Sequence, residues 1–289
     1  MKRQPFTLLC RQLAGLRAPR RADLHAHTTA SDGEYTPSQL VALAQRAGLA
    51  AVAVTDHDTL AGIPEAVATA RQFENPAVEV IPGVEITTDF DGRELHLLAL
   101  FVRTDHAELN TALDRLCVRR RERFRDYVRL LALPDDRAEL TIAGCPSPGR
   151  RHVAGLLVAC GFARSRDEAF HRLLGPLRGR VLPKEKLDIA AAIELAHAAG
   201  GVASLAHPPP ELDDASFGRL RAAGLDAVEA VYPWGRSRQG GRLREVADRF
   251  GFLVSGGSDC HGPTPVHRGV GSTSVGPDEL ERLRRRAGG

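Results

Sequence analysis

A chain of 289 residues with 43% hydrophobic content can bury one large core, or a core plus a small insert. Its 39 basic and 36 acidic residues leave a net charge of only +3, which excludes wholesale coating of a nucleic acid but not a local basic patch. Five cysteines (Cys10, Cys117, Cys145, Cys160 and Cys260) stand far apart without a CxxC pair, which speaks against a zinc knuckle and for a reduced, cytoplasmic protein. The first apolar run stops at Arg11, too short for a secretory signal, and no later run could span a bilayer. Residues 1–21 read as a basic leader, expected to be disordered.

Short apolar runs then alternate with helical patterns. Strands are expected at Ala22–His25, Ala50–Thr55, Val78–Ile81, Leu95–Val102, Gly201–Ala206, Asp226–Val231 and Phe252–Ser255. Thr36-Pro37 opens a helix with an N-cap and a proline at the first helical position, and Gly48 closes it. Further helices are expected near Pro64–Phe73, Ile189–Ala199, Asp214–Ala223, Gly241–Phe250 and Pro277–Arg286. Strands spaced by helices imply parallel βα units, and seven of them favour a barrel over an open sheet. From 105 to 187 the pattern is helical with no convincing strand. This stretch reads as a helical insert subdomain between the two barrel segments, 22–104 and 188–289.

Many of the eleven histidines fall just after strands. His25 and His27 are two apart on an extended segment, so they point to one face, and neutral imidazoles there can grip one metal ion. Alone, such a pair could equally be two solvated histidines. The context changes that balance. Asp32 lies in the following loop, Asp56-His57-Asp58 ends the second strand and Glu85 follows the third. His96 opens the next strand, His207 closes another, and Asp259 and His261 end the last. In a barrel these strand ends meet at one rim. So many buried ionisable groups cost several kcal/mol unless a partner such as a metal compensates them.

Several runs together resemble the PHP family, named for polymerase and histidinol phosphatase. They are Asp23-Leu24-His25-Ala26-His27, Ser31-Asp32-Gly33, Thr55-Asp56-His57-Asp58-Thr59, Gly83-Val84-Glu85, Ala206-His207-Pro208 and Gly257-Ser258-Asp259-Cys260-His261-Gly262. The resemblance spans about residues 22–272. It implies a distorted (β/α)7 TIM-like barrel and a site for two or three divalent transition-metal ions, Mn²⁺, Zn²⁺ or Fe²⁺. Carried over, the first ion takes His25, His27, Glu85 and Asp259. Glu85 bridges to a second ion held also by His96 and His207, and a third takes Asp32, His57 and His261. The branch that the chain resembles is the stand-alone phosphoesterases acting on nucleotides, whose insert carries a Gly-Arg-Pro-His-like element. Here that element is Gly149-Arg150-Arg151-His152, with Arg151 in place of the proline.

The chemistry implied is attack on a phosphate ester by a metal-bridged hydroxide, with Glu85, Asp259 and His207 at its centre. Arg150, His152 and Lys184 are the candidate substrate contacts, set against an ordinary charged helix face. Asp56 and Asp58 are better placed to orient ligands than to be ligands. The basic run Arg119–Arg125 reads as a solvated face rather than an RNA track, because no aromatic platform accompanies it. Tyr232 and Trp234 suit rim packing as well as base stacking. The expected substrate is a nucleoside 3′,5′-bisphosphate or a short 5′-phosphorylated oligoribonucleotide, with no membrane and no obligate protein partner. Histidinol-phosphate phosphatase is the second reading, and a non-catalytic metal-stabilised binding module the third.

Overall fold

The computed structural model describes residues 21–74, 77–177, 179–234 and 238–288. Apart from Arg21, the expected leader lies outside these residues. In chain order the strands are β1 (Ala22–Asp23), β2 (Ala51–Val54), β3 (Glu79–Phe90), β4 (Arg93–Leu100), β5 (Leu187–Asp188), β6 (Val202–Ala206), β7 (Ala227–Val231) and β8 (Leu253–Gly256). They pair in the order β1-β2-β3-β4-β6-β7-β8, with β5 beside β3. Beyond their ladders the ends of β1 and β8 meet. Leu24 N donates to Gly256 O at 3.1 Å, Asp259 N to His25 O at 2.8 Å and His27 N to Cys260 O at 2.9 Å. These bonds make a nearly closed seven-stranded barrel.

The strand sequences explain the layering. Along β2, Ala51 and Ala53 face the barrel interior with Leu24, Ile81 and Leu98, while Val52 and Val54 face the outer helices. Alanines at many inward positions leave room for the few larger side chains that fill a small barrel. Around it lie helices at Pro37–Arg46, Ile63–Ala70, Ile189–Ala198, Asp214–Ala222, Gln239–Phe250 and Pro277–Ala287. The first has a full capping box: Thr36 Oγ1 accepts from Gln39 N, and Gln39 Oε1 accepts from Thr36 N.

Two departures from the sequence reading bear on the site. The strands are not all parallel, because β4 runs antiparallel to both β3 and β6. Phe90 pairs with Arg93 across a two-residue turn whose Asp91 and Gly92 both have positive φ, 53° and 78°. Asp-Gly between β-rich runs is the hairpin signal for that geometry. It also lengthens β3 to twelve residues. The reversal brings the beginning of β4, where His96 lies, beside the rim. The second departure is β5, whose two residues carry no periodicity to read.

Between 107 and 177 the regular elements are all helical, at Ala107–Leu130, Asp135–Ile142, Arg150–Ala159 and Arg166–Glu168, then a π-helical turn at Ala169–Leu174, joined by loops. Ala107–Leu130 belongs to two cores. Leu109, Leu113 and Leu116 pack with the barrel, while Phe124, Tyr127 and Val128 pack with Ile142, Val153 and Leu157. The packing boundary therefore falls inside this helix. Among the described residues no helix is long and apolar enough to cross a membrane.

Closure leaves no space at Gly257, where a Cβ would lie 2.4 Å from the His25 nitrogen and 2.7 Å from Asp23 Oδ1. Gly257→Ala is expected to lower stability by about 1–3 kcal/mol through overpacking and to displace His25. Gly144→Ala, with nothing within 4 Å of the added carbon, should be neutral. Thermal melting of both variants checks this; equal melting temperatures would refute the packing argument.

Candidate metal centre

Three buried aspartates tie the loops that present the site. Asp23 accepts from Ser258 N at 2.8 Å, Ser258 Oγ at 2.7 Å and Gly271 N at 2.8 Å. Asp56 accepts from Thr28 N, Thr28 Oγ1 and Ser31 Oγ at 2.6–2.7 Å. Asp58 accepts from Thr87 N at 2.6 Å, Thr87 Oγ1 at 2.8 Å and Arg120 Nε at 2.6 Å. Asp58, His207 and Asp259 hold left-handed backbone, with φ of 53°, 28° and 51°. Such conformations cost on the order of 1–3 kcal/mol each in non-glycine residues and persist where the surroundings impose them.

Glu85, 1% exposed, stands at the centre. Its Oε1 is 2.8 Å from His96 Nδ1 and 2.9 Å from His207 Nε2. Its Oε2 is 3.3 Å from His25 Nε2, 3.1 Å from His27 Nε2 and 3.1 Å from His57 Nδ1. Asp259 Oδ1 lies 3.5 Å from His25 Nε2 and 3.3 Å from His27 Nε2, and the two imidazole nitrogens are 3.2 Å apart. Asp32 Oδ1 is 3.2 Å from His261 Nε2 and 3.8 Å from His57 Nε2.

These separations suit shared cations. Two donors on one ion at about 2.0–2.2 Å lie about 3.3–3.6 Å apart in a tetrahedral shell and about 2.8–3.1 Å in an octahedral one. Hydrogen bonding alone leaves the cluster unsatisfied, because Glu85 Oε2, His57 Nδ1 and Asp32 Oδ1 are buried without a hydrogen bond. The nitrogen and carboxylate donors present therefore fit divalent transition metals.

All nine expected ligands converge here; the three donors expected at the third ion share one set, and three of the four expected at the first share another. Donor atoms close enough to share an ion group as His27, Asp32, His57 and His261; His25, His27 and Asp259; His25, Glu85 and His207; and His57, Glu85 and His96. The expected pairing of His96 with His207 is absent from these sets. The two rings approach Glu85 Oε1 nearly at right angles, with planes at 74°.

Electrostatics follow the same geometry. Burial alone would push the His25 and His27 imidazoles down. Glu229, Glu85 and Asp259 reverse this for His25, and Asp259 and Glu85 raise His27 to about 10. Burial would raise Glu85 and Asp32, but the imidazoles around them hold both well below the carboxylate range. Burial wins at His57, which falls well below the usual histidine value. A cluster that alternates charge in this way is one from which a cation displaces protons.

One wall of the site opens into a cavity of about 590 Å³ that reaches Asp32, His57 and His96 and is lined by Arg120, Arg123, Arg150, Arg151 and Lys184. Two of the three expected substrate contacts, Arg150 and Lys184, are on it. Lys184 Nζ also meets Glu94 Oε1 at 2.6 Å. His152 is not: its Nδ1 accepts from Gly149 N at 3.1 Å, closing the helix start, and it lines a smaller neighbouring cavity of about 190 Å³. A third-position side chain at a helix N-terminus reaches back to the cap more readily than out to a ligand.

Glu229 and Arg268 escaped the sequence reading, and Tyr232 and Arg120 have contacts that it did not give them. Glu229 on β7 accepts from His25 Nδ1 at 3.0 Å and from His207 N at 2.7 Å; an acid inside Ala-Val-Glu-Ala-Val was the available signal. Tyr232 Oη at 2.8 Å and Arg268 Nη1 at 3.0 Å both donate to Asp259 Oδ2, so the insert is not the sole basic element near the rim. Arg120 corrects the solvated-face reading. It shares a helix face with Leu113, Leu116, Phe124 and Tyr127 at three- and four-residue spacing, while Arg119, Glu122 and Arg125 of that run form exposed ion pairs.

Comparison with known proteins accords with this architecture. The family model described as PHP domain matches residues 23–138. A 5′-3′ exoribonuclease of Haemophilus influenzae is 34% identical over 254 residues, covering 84% of this chain and 91% of the relative. A 3′,5′-nucleoside bisphosphate phosphatase of Chromobacterium violaceum is 28% identical over 267 residues, covering 87% and 90%. The crystal structure of a candidate metal-dependent phosphoesterase from Bifidobacterium adolescentis superposes with a TM-score of 0.82 at 30% identity, covering 92% of this chain and 96% of that one.

Glu85→Gln is expected to lower both bound metal and turnover, the latter by about 10²-fold or more, because a carboxamide lacks a second anionic oxygen. Elemental analysis with steady-state kinetics checks it, and near-normal kcat would exclude a bridging role. Glu229→Ala touches no expected ion, yet should weaken metal affinity by about 10–100-fold by freeing His25. Competition with a chelator measures it; unchanged affinity would remove Glu229 from the site.

Proposed function

Because the chain belongs to the PHP family and is a phosphoester hydrolase, we propose that its substrates are nucleotides or RNA ends that carry more than one phosphate. The observation that carries this reading is the cavity beside the cluster, where five basic side chains face the carboxylates Asp32 and Glu94. Arg120 already pairs with Asp58, and Lys184 with Glu94. Arg151 lies 3.9 Å from Asp32 Oδ2 and 3.6 Å from Glu34 Oε1, and with Arg123 and Arg150 it adds to the cationic charge of the wall next to the cluster. A simple monoester presents one phosphate, and the ions would neutralise it. A second phosphate, 3′,5′ on one nucleoside or next along an RNA chain, supplies the anion that this wall suits.

We infer two or three divalent ions, drawn from Mn²⁺, Zn²⁺ and Fe²⁺, held by His25, His27, Asp32, His57, Glu85, His96, His207, Asp259 and His261. Such ions lower the pKa of water and neutralise phosphoryl oxygens for in-line attack. The chain's own groups do the positioning. Glu85 offers an oxygen to each side of the cluster, and Tyr232 and Arg268 hold one oxygen of Asp259, leaving the other for the imidazoles. Glu229 fixes the His25 ring and the His207 backbone. We treat residues 22–104 and 188–289 as the barrel that carries the ions and 105–187 as the insert that carries the phosphate-facing wall.

The test compares a nucleoside 3′,5′-bisphosphate, a 5′-phosphorylated oligoribonucleotide, histidinol phosphate and a small aryl monoester, using wild type and Arg150→Ala. Wild type is expected to turn over the first two faster. Arg150→Ala should lower their kcat/KM by about 1.5–3 kcal/mol, roughly 10- to 150-fold, and hardly change the aryl monoester. Equal losses on all substrates would place Arg150 at the scissile phosphate, and preference for histidinol phosphate would overturn the nucleotide assignment.

A further inference from the structure

Lys184, expected at a substrate phosphate, is committed to a carboxylate instead. It lies just before β5, the two-residue strand without sequence periodicity, which pairs with β3 through Thr88 with Leu187 and Asp89 with Asp188. At the same level β3 pairs Asp89 with Glu94 of β4. The end of the insert is thus held across β3 from the beginning of β4. Two lysines act there: Lys186 Nζ donates to Asp89 Oδ1, and Lys184 Nζ donates to Glu94 Oε1 at 2.6 Å.

Glu94 in turn faces an expected ligand. Glu94 and His96 are two apart on β4 and so share a face. His96 Nε2 lies 3.2 Å from Glu94 Oε1, the same oxygen that Lys184 reaches, and His96 Nδ1 lies 2.8 Å from Glu85 Oε1. A neutral imidazole has one N–H and one lone pair, and an ion takes the lone pair. An ionised Glu94 can only accept, so it places the ring proton on Nε2 and leaves the Nδ1 lone pair toward the cluster. The opposite tautomer would donate from Nδ1 to Glu85 Oε1, which removes a ligand nitrogen and occupies a ligand oxygen together. Glu94 falls in none of the donor sets close enough to share an ion, whereas His96 shares one with His57 and Glu85. At the other oxygen of Glu85 the arrangement recurs with the nitrogens exchanged: His25 gives Nδ1 to Glu229 and turns Nε2 toward Glu85 and Asp259.

The two acids differ in what holds them. Glu229 is fully buried, but the Glu94 side chain is 38% exposed and could turn to water. The ammonium of Lys184 keeps Oε1 where His96 needs it. A mere brace for the end of the insert would not require this, because the Lys186–Asp89 pair already supplies one.

We propose that Lys184 and Glu94 form a positioning pair that fixes the His96 ring with Nδ1 toward the ion shared with His57 and Glu85, and that Lys184 serves this ion rather than a substrate phosphate. Such outer partners of a ligating histidine govern both its tautomer and its orientation. The inference rests on the ion assignment above, not on the number of phosphates in the substrate.

The metal-free full chain is loaded with zinc, and affinity is measured by competition with a chelator. Glu94→Ala should weaken one zinc-binding step by about 10–100-fold. Glu94→Gln, whose carbonyl can still accept from Nε2–H, should lose less. Lys184→Ala should act in the same direction as Glu94→Ala, Lys184→Arg should restore the affinity, and the double variant Glu94→Ala/Lys184→Ala should be no worse than Glu94→Ala alone. In Lys184→Ala, kcat should fall by the same factor for a nucleoside bisphosphate and a small aryl monoester, with KM unchanged. In the zinc-loaded protein carrying isotope-labelled histidine, nitrogen–proton couplings should place the His96 proton on Nε2, with His96→Asn identifying the signal. A proton on Nδ1 would overturn the proposal, as would unchanged zinc affinity in both alanine variants. Unchanged zinc affinity in Lys184→Ala, with a raised KM confined to the bisphosphate, would overturn it in favour of a phosphate contact. A wild type that takes up no zinc would overturn the ion assignment and this proposal with it, whereas zinc uptake by wild type and variants alike would overturn this proposal alone.

Discussion

A carboxylate with five imidazoles within 3.3 Å and almost no solvent cannot adopt any charge state cheaply by itself. If Glu85 is ionised it needs positive partners, and if the imidazoles are protonated they repel one another across 3.2 Å at His25 and His27. Divalent cations resolve both demands, since they supply positive charge and require neutral imidazoles. Much of the remaining structure can be understood as keeping this arrangement from relaxing. Asp23 and Asp56 each collect at least three hydrogen bonds, mostly from loops that would otherwise be free to move these side chains apart, and Asp58 collects three from β3 and the helix Ala107–Leu130. The positive φ values at Asp58, His207 and Asp259 show where the chain gives way so that the ligands do not.

The barrel supplies the convergence. Its closing bonds run between the same residues that present ligands: His25 O and His27 N on one side, Asp259 N and Cys260 O on the other. Closing the sheet and assembling the cluster are therefore one event in space. Gly257 follows from this, because two backbones meet where a side chain would lie. The antiparallel β4 serves the same end: reversed, it delivers His96 from the start of a strand to a rim otherwise built from strand ends.

How much of this was legible in the sequence depends on what each residue's role leaves as a local mark. The candidate ligands stood out because histidines and acids at strand ends have no ordinary structural use, and all nine converge. Capping, strand alternation and most helix boundaries were equally plain. The partition of the candidate ligands among ions depends on which ring nitrogen faces which oxygen, which no local sequence mark records. Asp91-Gly92 marked a hairpin that a search for parallel βα units passed over. Glu229 works through a partner distant in sequence, at His25, and Arg268 reaches Asp259 across a loop of no regular spacing, so neither carries a local mark. Arg120 was hidden in a run of arginines, although its spacing from Leu116 and Phe124 placed it on the buried face. His152 had the reverse problem: a motif position suggested a ligand contact, while its place in the helix suggested a cap, and the local hydrogen bond prevailed.

The helix Ala107–Leu130 joins the two halves of the chemistry. Its first turns are part of the barrel core and its last turns part of the insert core, so it cannot shift relative to either without opening one of them. Between those anchors Arg120 reaches Asp58 and Thr87, and the Asp58 amide is bonded to the Glu85 carbonyl. The same Arg120 lines the basic cavity. A single side chain thus belongs to the phosphate-facing wall and is two contacts from the central carboxylate. Position is transmitted through packing and charge-assisted hydrogen bonds, which are short-ranged and stiff. The distance between the expected scissile phosphate at the ions and a second phosphate at the wall is therefore set by one rigid helix. An insert tethered only by loops could contribute the same arginines but could not hold that distance, and under the proposed function it is the distance that would select a substrate with two phosphates in a defined relation over one with a single phosphate.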